Sequence, residues 1–147
     1  MLEIGPMTEY DAELAAAMGK LICDLQFDYD GVPVSRESIE EIIESPWHDI
    51  LLAFDGDKLV GMASVSVVMG TLIGRNECLE DFVVSSECQG KGVGSRLWEA
   101  ILEWGSAKGC TRLNFTSSGK DKKKGAVGFY LSKGANIRDT NAFRVEL

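Results

Sequence analysis

A glycine-rich run, Gln89-Gly90-Lys91-Gly92-Val93-Gly94, separates a valine-rich segment from an amphipathic one. Glycine adopts positive φ at little cost and lets the backbone approach a ligand closely. The N–H groups in the first turn of a helix have no partner within the helix and lie at the positive end of its dipole. A helix that begins in this run would therefore suit a diphosphate. A purely structural strand–helix turn is the alternative.

The spacing of these glycines excludes two known phosphate-binding loops. A dinucleotide-binding loop requires the pattern GxGxxG, and Leu97 stands where its third glycine belongs. A P-loop requires GxxxxGK[ST], but Ser95-Arg96 follows Gly94. A diphosphate ligand would have to be held by a loop of another family.

The pattern Gln89-x-x-Gly92-x-Gly94 resembles the (Gln/Arg)-x-x-Gly-x-(Gly/Ala) signature of the GNAT superfamily of N-acetyltransferases. A second run, Ala126-x-x-Phe129-Tyr130-x-x-x-Gly134, resembles a later landmark of the same superfamily. The resemblance implies acetyl-CoA as co-substrate and no metal. It also implies that loop amides hold the CoA pyrophosphate and that the preceding strand pairs with the pantetheine arm. The implied cofactor-binding residues are Phe82, Val83, Val84, Gln89, Gly90, Lys91, Gly92, Val93, Gly94 and Ser95.

The same resemblance gives Tyr130 a catalytic role near the CoA sulfur. A phenol with a pKa near 10 is protonated at neutral pH and can donate a proton to a leaving thiolate. Tyr130 is therefore the predicted general acid. The alternative is that its ring only packs beside Phe129.

A free amine is mostly protonated at pH 7, so the reaction also needs a base. Period-two alternation along the predicted strand puts Cys78, Glu80, Phe82 and Val84 on one face. Glu80 would then point into the cleft that the pantetheine arm is implied to occupy, and it is the predicted base. Some histone-acetylating relatives carry their base two residues earlier, where this chain has Cys78. The other interpretation of Glu80 is a strand-edge glutamate held by a surface lysine.

The acceptor is less well specified by the sequence. Leu79-Glu80-Asp81-Phe82, with Lys133-Gly134-Ala135 later, is most similar to spermidine/spermine N-acetyltransferases, in which the Glu-Asp pair touches the cationic amine. Glucosamine-6-phosphate acetyltransferases also carry Glu-Asp here, so the pair does not decide the substrate. The resemblance further assigns the acidic, aromatic segment Cys23–Asp30 to the acceptor side, although a solvated loop is the alternative. The predicted acceptor-binding residues are Asp81, Phe27 and Asp28.

Hydrophobic periodicity and turn residues predict the element order β–α–α–β–β–β–α–β–α–β, an α/β (α+β) sandwich. The resemblance implies a mixed, mainly antiparallel sheet of six to seven strands flanked by about four helices. Thr8 and Ser35 are the predicted N-caps of the first two helices. The segment 78–115 is predicted to be a right-handed parallel crossover. The predicted strands and later helices are Leu2–Ile4, Asp49–Phe54, Lys58–Met69, Cys78–Val84, Gly92–Lys108, Thr111–Phe115, Lys123–Lys133 and Asn141–Leu147.

The composition of the 147 residues predicts a single domain over 1–147. No membrane-length apolar run and no signal-peptide pattern occur, so a cytoplasmic protein without a membrane partner is expected. A net charge of −8 disfavours nucleic acid and would attract a cation. The four scattered cysteines indicate reduced thiols. A homodimer is possible, and the basic run 120–124 is either a solvated loop or a CoA phosphate contact.

These features together predict an N-acetyltransferase that moves acetyl from acetyl-CoA to the primary amine of a small, cationic molecule. The amine would attack directly in a ternary complex, without an acyl-enzyme. One alternative is acetylation of a protein N-terminus or lysine. Another is a non-catalytic CoA-binding sensor of the same fold, which the presence of both Tyr130 and Glu80 disfavours.

Overall fold

The computed structural model describes residues 1–117 and 124–147. Residues 120–123 of the basic run, including Lys123 at the predicted start of the last helix, lie outside the described residues. The elements in chain order are β1 (Leu2–Pro6), α1 (Ala12–Leu25), α2 (Arg36–Glu44), β2 (His48–Asp55), β3 (Lys58–Gly70), β4 (Gly74–Val84), α3 (Val93–Ala107), β5 (Leu113–Asn114) and α4 (Lys124–Ser132).

These elements fall into two compact units. The first, Met1–Phe115, contains the sheet and helices α1 to α3, and the second, Thr116–Leu147, contains α4. A single domain over 1–147 stays a prediction. Within the two described ranges, no helix combines the length and the apolar character needed to cross a membrane.

The N-terminal ends of α1 and α2 are capped by side chains. The Asp11 carboxylate accepts the N–H of Leu14 at 2.7 Å, so the prediction of Thr8 as the cap is wrong. The chain is still tied to the sheet just before Thr8, because the N–H of Met7 donates to the carbonyl of Ile50 at 2.8 Å. Helix α1 can therefore start only after this hydrogen bond to the sheet. Ser35 caps α2 as predicted.

The sheet has the strand order β1-β2-β3-β4-β5. Neighbouring strands are antiparallel except β4 and β5, which are parallel across the α3 connection as predicted. The β2–β3 hairpin turns at Gly56, between Asp55 and Asp57, and its φ of 61° suits a tight hairpin turn.

Helices cover both faces of this sheet. On the α1 face, Ile50, Leu52 and Met62 pack against apolar side chains of α1 and α2. On the α3 face, Ala53 packs against Val93 of α3. Alternation along each strand therefore decides whether a side chain meets α1 or α3.

The mixed α/β architecture agrees with the prediction, but over residues 1–117 and 124–147 the sheet has five strands rather than six to seven. Residues 141–147 form no strand, and Phe143 and Val145 are 91% and 82% exposed. Alternating apolar and charged residues permit a strand, but a strand is stable only when another strand or a packed face supports it. β4 begins at Gly74, earlier than predicted, and β5 is limited to Leu113–Asn114.

Candidate active site

Strand β4 contains a β-bulge. Two of its residues, Asp81 and Phe82, stand opposite the single residue Ala63 of β3. Asp81 has a φ of 47°, in the left-handed region that residues other than glycine seldom adopt. A bulge of this kind shifts the alternation of side chains by one residue.

The bulge makes one sequence prediction wrong, because Cys78, Glu80, Phe82 and Val84 do not share a face. The Phe82 ring packs edge-on against Trp98 of α3, with ring centroids 6.3 Å apart, and Val84 packs with the apolar cluster on the α3 face. Cys78 and Glu80 precede the bulge and lie on the α1 face. Period-two alternation holds only along an unbroken pleat.

The position of Glu80 follows from the strand register. Glu80 pairs with Ser64, and Ser64 pairs with Ile50, which belongs to the core on the α1 face. Residues directly opposite each other in antiparallel strands share a face. Pairing between β4 and β5 covers only Glu77 and Cys78, so in the described residues it ends just before Glu80. The exposed carboxyl of Glu80 therefore lies where β4 and β5 cease to pair.

The glycine-rich loop has the backbone that its sequence predicts. Gly90 and Gly92 have φ values of 81° and 83°, and nothing lies within 4 Å of a Cβ placed on either of them. Gly92 is the N-cap of α3, and the N–H of Arg96 donates to its carbonyl at 3.1 Å. The N–H groups of Val93–Ser95 are therefore those that an α-helix leaves without intrahelical acceptors.

The surroundings of this helix end fit an anion. Gly92, the N-cap, has no side chain that could accept these N–H groups, and the first turn of α3 contains no acidic residue. Residues 89–92 are exposed, whereas Val93 is buried and anchors the helix start. The loop is joined to the β2–β3 hairpin by the ion pair of Lys58 with Glu87. An ordered, open backbone at a positive helix end is suited to a diphosphate.

The α1–α2 connection is held against α1. A Cβ on Gly19 would lie 2.0 Å from the carbonyl oxygen of Val32, so the two backbones approach too closely for any other residue. The N–H of Val34 donates to the carbonyl of Ala15 at 3.1 Å. In this connection Phe27 is 79% exposed, and Asp28 is also exposed. Both predicted acceptor residues thus lie on an ordered loop.

Two aspartates of the acidic segment have structural partners that the sequence argument missed. The Asp24 carboxylate accepts the N–H of Ser86 at 3.0 Å, and that of Asp30 accepts the N–H of Val32 at 3.2 Å. The bond from Asp24 ties the end of α1 to the turn after β4, at the start of the glycine-rich loop. Its partner is distant in the sequence, so no local signal marks it. The end of α1 that leads to Phe27 and Asp28 is therefore joined to the segment between β4 and α3.

Tyr130 lies on α4, in the second compact unit. Its ring packs edge-on against Phe129, with centroids 5.7 Å apart. Burial raises the pKa of the Tyr130 hydroxyl, so the group is protonated at neutral pH. The helix ends at Ser132, and Gly134, two residues beyond it, has a φ of 89°. Tyr130 is thus in the protonation state that a general acid requires.

A second glutamate of β4, Glu77, is buried against α3. It is 2% exposed, its Oε1 atom has no hydrogen-bond partner among the described residues, and a Cβ on Gly105 would lie 1.9 Å from its Oε2 atom. Burial raises the pKa of Glu77 from 4.5 to about 7. The sequence did not single out this carboxyl, because its environment is created by the glycine of a neighbouring helix.

We expect Glu77 to make the fold less stable as the pH rises. The folded state binds its proton more tightly than the unfolded state, so stability falls as the pH rises from about 4.5 through 7 and levels off near pH 8. The shift corresponds to about 3 kcal/mol. In urea unfolding, the free energy of unfolding of Glu77→Gln, relative to that of the wild type, should increase by about this amount between pH 5 and pH 8. Glu99→Gln, an exposed change on α3, is the control. If the free energies of unfolding of the wild type and Glu77→Gln differ by the same amount at pH 5 and pH 8, the raised pKa of Glu77 is contradicted.

Comparisons with known proteins bear on the glycine-rich loop, on the bulged strand and, separately, on Tyr130. The model of the acetyltransferase (GNAT) family matches residues 20–135. The chain belongs to the GNAT family. Its predicted enzyme class, an acetyltransferase, is confirmed by this membership, and N-acetyltransferases are among its relatives.

One relative of this GNAT chain is the thialysine N-epsilon-acetyltransferase of Sus scrofa. It is 31% identical over 116 residues, which cover 72% of this chain and 67% of that protein. An aminoglycoside acetyltransferase from an uncultured soil metagenomic sample has a TM-score of 0.84 at 18% identity, over 99% of this chain and 96% of that one. Glucosamine-6-phosphate N-acetyltransferase from Arabidopsis thaliana has a TM-score of 0.78 at 21% identity, over 99% and 98%. These two structures share the GNAT fold with the chain.

Proposed function

We propose that this GNAT enzyme transfers acetyl from acetyl-CoA to the primary amine of a small, cationic molecule, by direct attack in a ternary complex. The observation that carries the proposal is the bulge of β4. It presents the Glu80 carboxylate on the α1 face and turns Phe82 and Val84 toward α3. The carboxylate proposed to act on the acceptor, that of Glu80, thereby lies next to the backbone proposed to hold the cofactor, that of Phe82–Val84, on one strand.

The residues of the glycine-rich loop fit the cofactor. The backbone of Gln89–Ser95 would hold the pyrophosphate, because its glycines leave open space and its helix end is uncapped. The main chain of Phe82–Val84 would accompany the pantetheine arm. Acetyl-CoA supplies the acetyl group as a thioester.

Two side chains would move the protons. The Glu80 carboxylate would accept a proton from the ammonium group of the acceptor, so that the free amine can attack the carbonyl carbon. As the C–N bond forms and the C–S bond breaks, the Tyr130 hydroxyl would donate its proton to the sulfur. The new amide nitrogen loses its second proton to solvent, Glu80 releases the proton it took, and the tyrosine recovers one from solvent, so that one proton is released overall.

Charge and relatives both favour a cationic acceptor. The chain carries a net charge of −8, and Asp28 and Asp81 are exposed carboxylates in the proposed acceptor region. The names of the relatives specify thialysine and aminoglycosides, which are amines. Asp81, Phe27 and Asp28 are the proposed acceptor contacts.

A panel of amines tests this function. Release of free thiol from acetyl-CoA would be followed with diamines, polyamines, thialysine, an aminoglycoside and glucosamine 6-phosphate. Peptides with a free N-terminus or a lysine would be included. We expect the highest kcat/KM with a small polycation. Turnover of peptides alone would replace this proposal with a protein acetyltransferase, and tight CoA binding without any turnover would replace it with a sensor.

Binding at the start of α3 is tested by a charge placed in its first turn. Ser95→Glu should weaken acetyl-CoA binding by roughly 10- to 100-fold, because a carboxylate would face the pyrophosphate at short range. The same carboxylate should leave the fold intact or slightly more stable, since an acidic side chain there is favourable to the helix dipole. Calorimetric titration and thermal unfolding measure the two effects.

The matched control is Ser106→Glu, which adds the same charge at the exposed far end of α3. It should leave acetyl-CoA affinity within about twofold, because the two positions are separated by about 16 Å of helix. Equal affinities for the two variants would mean that the loop does not hold the pyrophosphate.

A further inference from the structure

Cys78 and Glu80 form a side-chain pair on the α1 face of β4. The Sγ atom of Cys78 lies 3.8 Å from Oε1 of Glu80, within hydrogen-bonding range for sulfur. The residues opposite them on β3 are Ser66 and Ser64. Cys78 is half-buried and Glu80 is exposed, so the thiol approaches the carboxylate from the sheet side.

The thiol of Cys78 is a hydrogen-bond donor at neutral pH. The pKa of this thiol is raised, in order of size, by burial, by the charge and hydrogen bond of Glu80, and by the charge of Glu77. The paired neighbours on the adjacent strands, Ser66 and Asn114, are uncharged. A thiol held in this way is a poor nucleophile, because the thiolate is the reactive form. This agrees with direct transfer without an acylated cysteine.

We propose that Cys78 is a positioning residue for Glu80, donating its S–H to Oε1 and leaving Oε2 free for the acceptor amine. The inference rests on the proposed role of Glu80 as the base. A thiol is a weak donor, but a bond to a carboxylate is strengthened by the negative charge. Holding a base in a productive orientation raises the rate without adding a new group to the chemistry.

Paired variants at position 78 test the kinetic effect. Cys78→Ala should lower kcat/KM for the amine by roughly 3- to 10-fold, the effect of one ordinary hydrogen bond. Cys78→Ser keeps a donor and should stay within about twofold of the wild type. The KM for acetyl-CoA and the unfolding midpoint should be unchanged in both. In a Glu80→Gln background, Cys78→Ala should cause no further loss, whereas a merely structural role would give the same loss in both backgrounds.

Alkylation of the thiol tests the contact without reference to catalysis. In Glu80→Gln, the pH dependence of Cys78 alkylation, resolved by mass spectrometry, should move to lower pH because one raising charge is removed. Cys110 is the internal control, since Glu77 acts on its pKa and Glu80 does not. Glu77→Gln should accordingly move the alkylation profiles of both Cys78 and Cys110 to lower pH, because the charge of Glu77 raises the pKa of both thiols.

The outcomes separate the two proposals. A Glu80→Gln enzyme with full activity would overturn the base and the positioning role together. An impaired Glu80→Gln enzyme combined with a fully active Cys78→Ala enzyme would overturn the positioning role alone. An unshifted Cys78 alkylation profile in Glu80→Gln would also overturn it, because the two groups would then not be in contact.

Discussion

Tyr130→Phe should lower kcat by roughly 10²- to 10⁴-fold, the usual contribution of a positioned general acid. The substitution removes only the hydroxyl and keeps the ring that packs against Phe129, so the unfolding midpoint should change little. Acetyl-CoA affinity should stay within a few-fold, because the proposed cofactor contacts are the backbone of Gln89–Ser95. Steady-state kinetics and calorimetric titration measure these effects.

The matched control is Tyr10→Phe. Tyr10 packs against the core of α1 and α2, and the guanidinium of Arg36 lies 5.0 Å from its ring centroid. Losing its hydroxyl should leave kcat unchanged. If the kcat of Tyr130→Phe is within threefold of the wild-type value, Tyr130 is only a packing residue. The leaving thiolate would then have to take its proton from another source.

Glu80→Gln should lower kcat/KM for the amine by roughly 10²- to 10⁴-fold at neutral pH. The amide keeps the size of the side chain but cannot take the proton of an ammonium group. The loss should shrink as the pH rises toward the pKa of the amine, near 10 for an alkyl ammonium, since more of the acceptor is then already deprotonated. A profile of kcat/KM from pH 7 to 10 measures both effects.

The stability change from Glu77, whose pKa is about 7, affects only the low end of this profile, because its titration is largely complete by about pH 8. Glu99→Gln, an exposed change on α3, should keep the wild-type profile. If the Glu80→Gln profile keeps the wild-type shape across this range, Glu80 is not the base.

Local sequence signals predicted the parts of the site whose geometry depends on near neighbours. The glycines at 90 and 92 predicted a strand–helix turn with positive φ, and both adopt it. Ser35 predicted the start of α2, and its side chain caps that helix. In each case the chemistry of one residue determines the backbone within two or three positions of it.

Features that depend on distant neighbours were not predictable from the sequence. The bulge at Asp81 arises from how β4 pairs with β3, and an aspartate gives no local sign of it. The burial of Glu77 depends on Gly105, and the bond of Asp24 depends on the N–H of Ser86. Alternation alone also suggested a strand at 141–147, where the structure has none. Pairing and close approach are properties of the assembled sheet, so no window of sequence contains them.

The bulge in β4 also bears on how such an enzyme changes during evolution. A regular strand would place the side chains proposed to face the acceptor and those proposed to face the cofactor on one surface, and each mutation would then be selected for both tasks at once. Because the alternation shifts at Asp81 and Phe82, substitutions at 78 and 80 alter one surface and substitutions at 82 and 84 the other. A lineage can therefore drift toward a new amine while purifying selection preserves the cofactor side. Libraries for directed evolution should accordingly keep Cys78 and Glu80, randomise the serines opposite them on β3, Ser66 and Ser64, first, and leave 82–84 unchanged.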